Sequence, residues 1–92
     1  MEIQKKTTEL LKKILWTDTI TTAQLAAAQS ASASIEKGVT DPEVAWTAYE
    51  TTVAARKLTP MKKRKFQELL RELAKPANRD VVHYCASLSV GR

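Results

Sequence analysis

Leu58–Lys75, LTPMKKRKFQELLRELAK, is the stretch on which the reading of this chain turns. Thr59-Pro60 has the form of an N-cap followed by the first helical residue. A Thr hydroxyl there accepts a free first-turn N–H, and Pro gives up a donor that would go unpaired anyway. Pro76 stops the helix near Lys75, because its ring blocks continuation. At 100° per residue, Phe66, Leu69, Leu70 and Leu73 fall within an arc of about 100°, the width of an ordinary buried stripe. Arg64, Glu68, Arg71 and Lys75 fall opposite, and Lys62 and Lys63 flank the stripe. The spacing predicts a helix over residues 59–75 with one apolar side and a basic N-terminal end.

Charge is concentrated in the same segment. Residues 56–75 hold eight bases (Arg56, Lys57, Lys62, Lys63, Arg64, Lys65, Arg71, Lys75) and two acids (Glu68, Glu72), an excess of +6. The whole chain carries +5, so the remainder is slightly acidic. A local field of that kind attracts phosphate groups, acidic proteins or anionic lipid. Arg64 and Lys65 also stand at helical pairing distance from Glu68, so part of this charge is a solvated, self-paired face. Four bases at a helix start oppose the macrodipole, so they do not serve helix stability.

Ninety-two residues, 43% apolar and 27% charged, describe one globular domain over 1–92 with a thin core. With two Gly and three Pro, long helices are easy and a turn-rich β fold is not. Cys85 is the lone cysteine, so no intrachain disulfide forms and a reducing, cytoplasmic setting is expected. No apolar leader and no 18-residue apolar run occurs, so no membrane segment is expected.

Outward from the central stretch, the first helix is expected over Ile3 to Trp16, with Ile3, Thr7, Leu10, Leu11, Ile14 and Leu15 inward. Trp16 falls on the polar side of that wheel. It is expected to fold back onto the core as the helix ends; the alternative is an exposed indole beside Lys12, a residue type favoured at interfaces. Thr21 with Gln24 fits a capping box, and Ile20 with Leu25 fits a hydrophobic staple. The second helix then runs to Lys37, with Gly38 suited to a left-handed C′ position. Its interior, AQLAAAQSASAS, permits close helix approach but buries little area. Intramolecular packing is the expected use of that face, and a seam between two copies the other; with the thin core, this leaves room for a homodimer. Asp41-Pro42-Glu43 opens a third helix, capped by Asp41, or by Thr40 with Glu43. Trp46, Tyr49 and Val53 make its stripe, and with five aromatics in the chain the two rings are expected in the core. Leu58-Thr59 is then a very short joint to the central helix, making a hairpin or sharp corner. After Pro76, Asn78 as cap and Asp80 in the first turn introduce a short fifth helix with Val81, Tyr84, Cys85 and Leu88 inward. Ser89–Arg92 reads as a frayed tail. The expected fold is all-α, a small compact bundle of four main helices plus a short C-terminal one.

Chemistry-bearing patterns are weak. One His and one Cys two residues apart do not make a metal site, nor a nucleophile–base pair. Gly38 and Gly91 are isolated, so no Gly-rich phosphate loop occurs. Neither a catalytic residue nor a cofactor is expected. A helix-turn-helix has two weak versions, one using the third and central helices, the other using the central helix with Asp80–Leu88. Neither has the usual Gly in its turn. Common single-strand modules, rich in aromatics or Gly, find no support. Two functions remain as expectations. The first is a non-enzymatic regulator binding nucleic acid through Lys57, Lys62, Lys63, Arg64 and Lys65, with Arg71 further along the helix. The alternative is an adaptor or inhibitor that docks an acidic protein through the same face, with Trp16 or Tyr49 as its anchor.

Overall fold

The computed structural model describes residues 2–88. Its elements are α1 (Ile3–Leu15), α2 (Thr22–Glu36), α3 (Pro42–Arg56), α4 (Lys63–Leu73), a single 3-10 turn (Pro76–Asn78) and α5 (Arg79–Ala86). All-α architecture is therefore the outcome, four main helices and a short last one, with a Cα radius of gyration of 11.8 Å. No strand occurs among the described residues. The expected tail, residues 89–92, lies outside them.

The Ala/Ser helix is the hub. α2 packs against α3, α4 and α5, most extensively against α5, while α1 lies across α5 and α4. Ala26, Ala27, Ala28, Ala31, Ser32 and Ser34 are all buried. Small side chains let three neighbours approach one axis closely, and those neighbours bring the bulk. Leu11, Tyr49, Phe66, Leu69, Leu73 and Val81 supply it, each at most 1% exposed. The small-residue face is thus consumed within the chain.

Local start signals act as read. Thr21 accepts from Gln24 N–H at 3.1 Å while Gln24 Oε1 accepts from Thr21 N–H at 2.9 Å, which completes the capping box. Asp41 caps α3 through Glu43 N–H, with Pro42 at the first helical position. Gly38 takes φ 79°, the left-handed conformation expected after α2.

Two joints differ from expectation. α4 begins at Lys63, not at Thr59-Pro60, and residues 58–62 are irregular. The cause is long-range. Lys57 turns left-handed at φ 56° to end α3, and Met61 N–H donates to Tyr49 Oη at 2.7 Å. That bond, with Leu58 and Met61 packed on the core, holds the joint out of the helix. A helix starting at Thr59 would pull Met61 out of this contact. The second difference is at Asn78. It occupies the cap position of α5, but its side chain caps nothing there; Nδ2 donates to the Glu72 carbonyl at 2.8 Å, across the Pro76 turn. Val82 is buried beside Val81 and Cys85, while Tyr84 and Leu88 are only partly buried. α5 rests chiefly on α2 and α1 and only slightly on α4, so α4 and α5 do not form the tight pair a helix-turn-helix requires.

Candidate anion-binding face

α4 presents its stripe as read: Phe66, Leu69, Leu70 and Leu73 are buried. Phe66 stacks on Tyr49 with centroids 4.5 Å apart and planes 10° apart, and Trp46 tilts against both rings. This aromatic cluster fixes α4 against α3 and so fixes which way its basic residues point. Tyr49 is fully buried, which removes it as an anchor for any partner.

The basic segment does not behave as one patch. Lys63 turns toward α3, where its Nζ lies 2.8 Å from Glu43 Oε2. Gln67 also donates to Glu43, at 3.4 Å. The Lys63 and Gln67 bonds together hold the Glu43 carboxyl below the usual carboxylate range. Lys65 leans the other way, 3.8 Å from Glu68. Its stem lines a hollow beside Leu15, Thr21 and Met61. Lys57, Lys62, Arg64 and Arg71 remain without an ion pair among the described residues. Lys62, Arg64 and Arg71 are exposed, and Arg64 and Arg71 share the outward side of α4, about 10 Å apart along its axis.

The start of α4 has a second property. Lys62 stands at the cap position with extended backbone, no side chain caps the helix, and its first turn holds no acid. The first N–H groups and the positive end of the dipole therefore face solvent among cations. α2 and α3, by contrast, carry full side-chain caps.

Trp16 departs from expectation. It ends α1 in the left-handed conformation at φ 54°, and its indole is 85% exposed. The helix does stop where Trp16 begins, but the left-handed turn carries the ring outward instead of back onto the core. Trp16 borders a groove between α1 and α4 with Lys13, Glu68, Glu72 and Lys75. Glu72 bonds Lys75 at 2.5 Å and feels Arg71 and Lys13 as well; the Lys75 bond is the main cause of its lowered pKa. Sequence reading did not single out Lys13 or Lys75 as site residues, and no local signal could have, since helix packing brings them together.

Elsewhere the titratable groups are structural. Lys6 clasps Asp80 at 2.6 Å between α1 and α5, and that bond lowers the Asp80 pKa. His83 Nδ1 lies 3.2 Å from Glu36 Oε2. Burial pushes the Cys85 thiol up to about 11, only partly opposed by the Ser32 hydroxyl, so at neutral pH it is a protonated core atom. No described helix is long and apolar enough to cross a membrane. Comparison of the chain with protein-family models, curated proteins and solved structures finds no match.

Proposed function

We propose that this protein is a small non-enzymatic regulator that binds nucleic acid, taking phosphate groups at the start of α4. The observation that carries the reading is the uncapped N-terminus of α4, with no acid in its first turn and with exposed Lys62 and Arg64 beside it. Positive side chains there oppose the dipole and free N–H groups lack partners, so the arrangement is unfavourable alone. A phosphate resolves both at once, accepting from the N–H groups and neutralising the bases. Lys62 and Arg64 have no competing carboxylate among the described residues and are the main contacts; Lys57 and Arg71 extend the positive surface on either side. Phosphate contacts of this kind give affinity without base readout, so sequence preference is modest and salt dependence steep.

A docking site for an acidic protein is the second reading, favoured by the exposed indole of Trp16 beside the same helix. The two part on what accompanies the protein from a native lysate: nuclease-sensitive absorbance near 260 nm, or a stoichiometric acidic chain. The direct test is titration with duplex and single-stranded oligonucleotides at two salt concentrations. Binding at low salt that falls steeply with salt is expected; no binding to either form at low salt removes the reading.

A further inference from the structure

Trp16 is anomalous on two independent counts. Its indole is 85% exposed, so packing does not account for it. Its backbone sits at φ 54°, where a side chain with a Cβ is disfavoured and Gly or Asn is the usual occupant. Neither core burial nor backbone preference explains a tryptophan at this position. What surrounds it does point to a ligand. Lys13 and Lys75 line the groove it borders, and Arg71 joins them around Glu72. Both carboxylates of this groove are engaged, Glu72 by Lys75 and Glu68 by Lys65. Lys13 and Lys75 thus face Glu68 and Glu72 in the groove, and Arg71 adds a third positive charge at Glu72, next to an open aromatic face.

Resting on the nucleic-acid reading above, we infer that the form bound is single-stranded, and that an unpaired base stacks on Trp16 while the backbone runs past Lys13, Arg71 and Lys75 toward the start of α4. A π-face open to solvent beside Lys13 and Arg71, which have no ion pair among the described residues, is what a single strand engages and a closed duplex does not offer bases to. Arg64 and Arg71 share the outward side of α4, the side along which the strand would run toward Lys62.

The experiment follows tryptophan emission and affinity for an oligothymidylate of about 15 nucleotides, within the site size of small single-strand binders, and for a duplex of the same length. The wild type, Trp16→Ala and Trp16→Phe are compared, with circular dichroism confirming the fold of each. The oligothymidylate is expected to quench emission in the wild type, and the quench is expected to vanish in Trp16→Phe, which retains only half-buried Trp46. Trp16→Ala should weaken single-strand binding about tenfold, the loss of one base–aromatic stack, while Trp16→Phe keeps most of the affinity and duplex binding hardly moves. Equal affinity of wild type and Trp16→Ala for the oligothymidylate, without quenching, overturns the inference and leaves the phosphate site standing. Equal losses on duplex and single strand overturn it as well. Absence of binding to both at low salt overturns the nucleic-acid reading itself. Loss of a stoichiometric acidic protein in Trp16→Ala, with oligonucleotide binding unchanged, assigns the indole to a protein partner and also overturns it.

Discussion

The hydroxyl of Tyr49 accepts the backbone N–H of Met61 at 2.7 Å. This one bond ties the middle of α3 to the joint that delivers α4, and it explains why α4 starts at Lys63 and not at Thr59. Tyr49→Phe keeps the ring and its stack on Phe66 but leaves the Met61 N–H unpaired. The expected loss is about 1 kcal/mol, seen as a Tm lower by roughly 4–8 °C in a domain of this size. Amide exchange at Met61 should accelerate more than at Leu69 or Leu73. An unchanged exchange rate at Met61 would show that packing of Leu58 and Met61 alone holds the joint.

Alkaline pH addresses two buried groups. Burial raises the Cys85 thiol from 9.0 to about 11, and burial likewise raises Tyr49, against the opposing Met61 bond. In both cases the unfolded chain loses its proton first, so it binds fewer protons than the folded one through that window. The stabilisation is fully present below pH 9 and is lost as pH rises toward the folded values. Unfolding midpoints in denaturant are expected to fall steadily from pH 9 to 11. Cys85→Ala should flatten the first part of that fall and leave the part beginning near pH 10, which belongs to Tyr49. In native protein at neutral pH, Cys85 should resist thiol reagents until denaturant is added.

Trp16 makes a prediction about stability that is separate from binding. At φ 54° a tryptophan pays for a conformation that glycine adopts freely, and its exposed ring returns little packing. Trp16→Gly is expected to hold stability level or raise it by up to about 1 kcal/mol, measured by chemical denaturation, while removing the indole. A clear destabilisation would show that the ring covers Leu10 and Ile14 in solution and that its role is structural.

What was legible in the sequence, and what was not, follows from distance along the chain. The caps at Thr21 and Asp41 depend on residues two or three positions away, and so does the turn at Gly38; Thr21 and Gly38 could be read directly, and the start of α3 to within one residue, Thr40 or Asp41. The stripes of α1 and α4 needed only periodicity. The Ala/Ser run of α2 disclosed its close packing, though not its place at the hub, because which helices converge on it is a property of the whole assembly. The Tyr49–Met61 bond spans twelve positions and overrode a good local start signal at Thr59-Pro60. Lys63 finds Glu43 twenty positions upstream, which no helical wheel of α4 contains. Trp16 illustrates a third limit: the wheel placed it on the polar side, but whether its ring returned to the core depended on the handedness of the single residue that ends the helix.

That division of the basic segment gives the sharpest expectation for binding. Lys62 and Arg64 are exposed and have no ion pair among the described residues, whereas Lys63 and Lys65 already face Glu43 and Glu68. A phosphate at the start of α4 would be met by the first pair without breaking any contact, while recruiting the second requires two ion pairs to open. Lys62→Ala and Arg64→Ala should therefore each weaken oligonucleotide binding at low salt and lower the slope of log affinity against log salt by about one phosphate contact. Lys63→Ala and Lys65→Ala should do less to both quantities. Glu43→Gln releases Lys63 to solvent and is expected to tighten binding, since it removes a negative charge near the phosphate site and frees a positive one. If all four alanine variants lose affinity equally, the ion pairs seen here do not persist in the complex, and the segment acts as an undifferentiated cationic surface.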